Sequence, residues 1–130
     1  MKKRASVFLS LLFIIFLAGC AGQYTKPIPE TTKQHLIEIN STSFNPSELK
    51  INRGETVVFI NKDFSSHWPA SGVHPTHNLY PEKGGCIGSK FDACGSLKEN
   101  ENFTFTFKYS GTWSYHDHIR PGIYGKIMVE

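Results

Sequence analysis

Phe103, Phe105 and Phe107 alternate with Thr104, Thr106 and Lys108. This period of two places three rings on one face of an extended chain and polar groups on the other. No window of the sequence sustains the spacing that a packed helix requires. The remaining strand-like segments, at residues 35–39, 48–51, 56–60, 112–118 and 124–129, are all short. The run at 56–60, Thr-Val-Val-Phe-Ile, is made of β-formers and apolar after Thr56, long enough for a buried strand and too short for a helix. Asn45-Pro46, Asn52-Arg53-Gly54-Glu55 and Ser110-Gly111 break the chain between runs, and eleven Gly and seven Pro favour turns. The pattern predicts six or seven short strands and an all-β sandwich.

The N-terminus reads as an address. Lys2, Lys3 and Arg4 precede an apolar run from Val7 to Leu17, interrupted only by Ser10. A membrane-spanning helix needs roughly 20 apolar residues, so a secretory leader fits better. The ending Leu17-Ala18-Gly19-Cys20 resembles the bacterial lipobox, which implies cleavage before Cys20 and lipid on its sulfur. Residues 1–19 are therefore expected to be a signal peptide. Residues 20–33, with Pro27 and Pro29, are expected to be an extended tether, and residues 34–130 the folded domain. The mature protein is expected to be held on the cell membrane or outer membrane, facing the periplasm or the exterior. A chain of 130 residues has no room for separate cofactor and substrate lobes. Fourteen Lys and Arg against eleven Asp and Glu, with no basic stripe among the aromatics, give nucleic-acid binding no support.

Residues 61–99 form a long stretch rich in Gly, Pro, Ser and His. A connection of that length in a small domain is functional or disordered. Trp68, Tyr80, Phe91 and two cysteines argue for order, although a short helix inside it fits the pattern too. With Cys20 lipidated, Cys86 and Cys94 remain as an even pair in an oxidising compartment, and they are expected to form a disulfide. Closing so short a loop contributes roughly 2.5 kcal/mol on the chain-entropy model. A copper or zinc thiolate pair is the rival, but metal-binding cysteines usually stand closer together.

Histidine placement carries the chemistry. His35 stands apart. His67, His74 and His77 fall in the long stretch, and His116 and His118 close the strand Gly111-Thr112-Trp113-Ser114-Tyr115-His116-Asp117-His118. Strand parity puts Trp113, Tyr115 and Asp117 on one face, expected to be the inner one, and both histidines on the other. Two imidazoles two residues apart on a strand can share one metal ion, and neutral imidazole suits Cu, Zn, Fe and Ni. No Ser sits in a nucleophile-elbow context, so a hydrolase has little support. The chain reads as a binding protein and not as an enzyme.

One pattern is more specific than these. Phe44-x-Pro46-x-x-Leu49-x-Ile51-x-x-Gly54-Glu55-Thr56-Val57-x-Phe59-x-Asn61-x-Asp63 is followed by a His, Phe-Thr-Phe, Gly-Thr-Trp-x-Tyr-His and Gly125-Lys126-Ile127-x-Val129. Over residues 34–130 this resembles the cupredoxins, of plastocyanin and azurin type. The resemblance implies a Greek-key β-sandwich and a copper cofactor. His67 matches the first histidine of that family's blue-copper site. Asp117 stands where the cysteine belongs, Arg120 or Pro121 near the second histidine, and Ile123 near the methionine. Without the thiolate a blue site has no strong Cu–S bond. The segment from Gly111 to His118 is also similar to the His-X-His segment of multicopper oxidases, whose copper cluster needs histidines from two domains.

Two ligand sets follow. In one, His67 and Asp117 hold a metal at the blue-copper position, with His77 or His118. In the other, His116 and His118 are joined from the long loop by His77 or His74. Both imply a pale, type-2-like copper site, with zinc as the alternative, in copper handling or atypical electron transfer with a redox or metal-transfer protein partner. The competing class is a metal-free module that recognises a partner through the loop at 64–99, using Trp68 and Tyr80. An accessory to periplasmic iron uptake is a third reading.

Overall fold

A computed structural model describes residues 32–130, so the leader, Cys20 and most of the tether lie outside the described residues. Eight strands follow in order: β1 (Gln34–Ile39), β2 (Phe44–Asn45), β3 (Glu48–Ile51), β4 (Thr56–Asn61), β5 (Pro69–Ser71), β6 (Asn102–Thr106), β7 (Gly111–Asp117) and β8 (Tyr124–Val129). They form two four-stranded sheets, β2-β1-β4-β6 and β3-β8-β7-β5. Each sheet is mixed: β1 runs parallel to β4 and β3 parallel to β8, while the other pairs are antiparallel. No helix occurs among the described residues.

Alternation explains which side chains meet between the sheets. Val57 and Phe59 of β4 and Ile37 and Ile39 of β1 are fully buried, facing Tyr115, Ile127 and Val129 from the second sheet. Phe59 and Tyr115 bridge the sheets edge to face, with ring centroids 5.2 Å apart. Phe107 is buried, and Phe103 and Phe105 are packed against the core, as the period of two predicts.

Residues 61–99 are ordered by plugs instead of by a helix. Tyr80 and Phe91 insert into the core, their rings 5.6 and 4.9 Å from Phe107. Tyr80, 1% exposed, is thus core and offers no surface for a partner. The stretch also contains β5, a three-residue edge strand paired with the end of β7, which no sequence period marks. Gly111, read from sequence as part of a turn, opens β7 instead. Cys86 and Cys94 are disulfide-bonded, with Cα atoms 5.6 Å apart. That staple closes the loop immediately beside Asp92.

Candidate metal centre

β7 separates two histidine environments by parity alone. Tyr115 and Asp117 point inward, and His116 points outward with His118 one step past the strand end. β5 pairs with β7 through Ala70 and His116, so the chain leaving β5 crosses onto this outer face. It carries His74 and His77 with it. Donor nitrogens of His74, His77, His116 and His118 all lie within 4.8 Å of one another. His77 Nε2 is 2.8 Å from His118 Nδ1, and His74 Nδ1 is 3.2 Å from His116 Nε2.

His77 is the most constrained of the four. Its Nδ1 donates to Asp92 Oδ2 at 2.6 Å, which leaves the Nε2 lone pair aimed into the cluster. Asp92, only 4% exposed, also accepts the Trp68 indole N–H at 2.6 Å and the Cys94 backbone N–H at 2.8 Å. The His77 backbone has φ of 50°, a left-handed conformation that non-glycine residues rarely adopt. Ser89 N–H holds the His77 carbonyl at 2.8 Å. Beneath it, a Cβ on Gly88 would stand 2.1 Å from the Thr76 carbonyl oxygen, so only glycine fits there. The disulfide loop is therefore a cradle for one imidazole.

Two of the four imidazoles are biased toward the neutral form. Burial, followed by the neighbouring His77, His74 and His118, pushes His116 down to about 4. Burial and then His77 and His74 likewise lower His118. Neutral imidazole is the ligating form. The same shift has a stability consequence. Between the ordinary histidine value of about 6.5 and about 4 the unfolded chain takes up a proton that folded His116 refuses. Stability is complete above this window and falls as the pH drops through it. Metal-free protein is expected to lose about 2 kcal/mol of unfolding free energy between pH 7 and 4.5. Urea unfolding measures this, and a flat profile would contradict it.

His67 and Asp117 come together elsewhere, on the inner side of β7. Both are fully buried. His67 Nδ1 is 2.7 Å from Asp117 Oδ2, and its Nε2 is 3.1 Å from Asp63 Oδ2. The other oxygen of Asp117 accepts the backbone N–H groups of Trp68 at 2.8 Å and Ile119 at 3.1 Å. Arg120 approaches Asp63 at 3.5 Å, and the hydrogen bond from His67 holds the Asp63 carboxyl below its usual range. Neither nitrogen of His67 is directed at open space. His35 is spent on Glu55 at 2.7 Å, far along the chain from both groups.

Of the residues singled out by sequence, the structure thus gathers His116 and His118 with both His77 and His74, which the sequence offered as alternatives, and sets His67 with Asp117 apart from them. Sequence reasoning missed Asp92 and Asp63. Asp92 lies between Phe91, a core plug, and the disulfide at Cys94, a position whose aromatic and cysteine neighbours imply burial and therefore a partner for the carboxylate.

Comparison with known proteins places these features in context. A family model described as copper binding proteins, plastocyanin/azurin family, matches residues 31–130. Amicyanin from Paracoccus denitrificans is 26% identical over 95 residues, which is 73% of this chain. The chain spans 64% of that protein's length. Among solved structures, an oxidised mutant of amicyanin has a TM-score of 0.57 at 23% identity, covering 73% of this chain and 80% of the other. A purple cupredoxin from Nitrosopumilus maritimus has a TM-score of 0.58 at 20% identity, covering 73% and 98%. These structural likenesses show a shared fold.

Proposed function

Since the chain belongs to the plastocyanin/azurin family of copper-binding proteins, we propose that it carries copper on the outer face of β7, at the cluster of His74, His77, His116 and His118. The observation behind this reading is the convergence of four imidazole nitrogens within 4.8 Å. Metal–imidazole bonds of about 2 Å hold donors about 3–4 Å apart, so the cluster fits a single ion after small rotations. Bound copper supplies a one-electron couple. The protein's own contribution is a neutral donor set, an Asp92 carboxylate that orients His77, and an indole packed on His118 at a centroid distance of 4.6 Å.

The donor set is all nitrogen, which favours a pale, non-blue site. Cys86 and Cys94 are bonded to each other, and Asp117, at the position of the family's thiolate, is engaged by His67. His67 and Asp117 are better read as an internal brace than as ligands, because His67 has both nitrogens on carboxylates. Zinc satisfies the same donors and is the alternative ion. The leader at 1–19, the anchor on Cys20 and the tether at 20–33 complete the reading as an exported, membrane-held copper carrier. Its role is copper handling or electron transfer with a protein partner. A metal-free recognition module is disfavoured because Tyr80 is core.

Trp68 gives the test a local signal. Full-length protein in detergent, carrying Trp113→Phe so that Trp68 is the remaining indole, is titrated with copper and with zinc. Saturation at one copper per chain with strong quenching of Trp68 is expected. Paramagnetic resonance should report nitrogen ligands, and the visible spectrum should show no intense blue absorption. Absence of saturable binding, or a blue thiolate spectrum, refutes the assignment.

A further inference from the structure

The four imidazoles are unequally covered. His77 is fully buried and His116 is 5% exposed, whereas His74 is exposed. Two sides of the cluster are backed by protein: Trp68 lies on His118, and Asp92 sits behind His77. On the side of His74 and His116 the surface instead opens into a cavity of about 250 Å³, walled by Val73, Ser114, Pro121 and Tyr124. Ser114 and Tyr124 also wall a second hollow of about 480 Å³, which extends to Glu48 and Lys126. The two hollows share these walls on the outer face of β7 and β8, and the inner one is lined by His74 and His116.

We propose that the inner hollow is an entrance by which a small oxygen- or nitrogen-donor ligand, such as a simple inorganic anion, reaches the metal from the side of His74 and His116. The proposal rests on the copper reading above and goes beyond it, because an electron carrier needs no ligand path. Size, charge and exposure agree. A water molecule occupies about 30 Å³ of liquid, so the inner cavity admits a ligand of several heavy atoms. In the outer hollow Lys126 is paired with Glu48 at 2.8 Å, so this pair adds no net charge to repel an anion. Tyr124 is 72% exposed although it is a large aromatic in a strand, and walling the hollows gives that ring a use. Ser114 shares the outward face of β7 with His116 and lines both hollows.

Azide is the probe. Copper-loaded full-length protein in detergent is titrated with azide and followed by paramagnetic resonance and by the azide-to-copper charge-transfer band. A saturable change is expected. Ser114→Phe, which puts a ring into the hollow from an exposed position, should weaken azide binding at least tenfold while leaving the azide-free resonance unchanged. Ser114→Ala should match the parent protein. Copper uptake with no azide response in the parent protein overturns the proposal alone, as does an unaltered response in Ser114→Phe. Failure to take up copper overturns it together with the reading beneath it.

Discussion

Replacing His116 and His118 together by Ala is expected to reduce copper affinity by roughly a thousandfold or more while leaving the sandwich folded. Losing even one supporting partner behind a metal ligand typically costs about 10–100-fold in affinity. Here two of the four donors themselves are removed. The fold should survive because both rings lie on the face of β7 turned away from the core, and the inward residues Tyr115 and Asp117 are untouched. Copper titration and urea unfolding of the same variant separate the two effects. Copper affinity within tenfold of the parent would sink the four-histidine assignment. Loss of loop order in the metal-free variant, with no specific loss of copper, would favour a hydrogen-bonded recognition loop instead.

Asp117→Ala is the second change with a large expected effect, and it acts on stability. Asp117 is fully buried and serves His67, the Trp68 amide and the Ile119 amide at once. Truncation leaves three donors without their acceptor, the His67 nitrogen fully buried and the two amides partly so, each at a cost of up to about 1–3 kcal/mol. With partial relaxation, a net loss of about 3–5 kcal/mol is expected, similar to breaking a buried charged pair. Asp117→Asn should cost less, since its amide oxygen can still accept the two backbone N–H groups. Denaturant unfolding of metal-free protein at neutral pH measures both. A loss below 1 kcal/mol for Asp117→Ala would show that the brace on the inner side of β7 is dispensable.

Much of the fold was legible because strand signals are local. The alternation at Phe103, Phe105 and Phe107 and the apolar run of β4 depend on near neighbours, and β3 and β8 have the bounds that residues 48–51 and 124–129 mark in the sequence. The disulfide was legible from compartment and count. β5 was not, since three residues are too few for a period, and Pro69 argues against a strand except at an edge, where it lies. Tyr80 shows the same limit. An aromatic in a polar loop reads equally as a surface contact or a core plug until its distance to Phe105 and Phe107 is known.

Parity along Trp113-Ser114-Tyr115-His116-Asp117-His118 was determined by sequence alone, because a strand offers its residues only two sides. From that alternation it follows that His116 and His118 face one side and Asp117 the other. Which distant groups meet them was decided by the tertiary structure. His67 precedes β5 and meets the inner side of β7, whereas His74 and His77 follow β5 and are carried over its edge to the outer side. No spacing within the loop encodes that difference. It arises because a three-residue strand pairs at one register and because Tyr80 and Phe91 are drawn into the apolar interior, which together fix where the rest of the loop must pass.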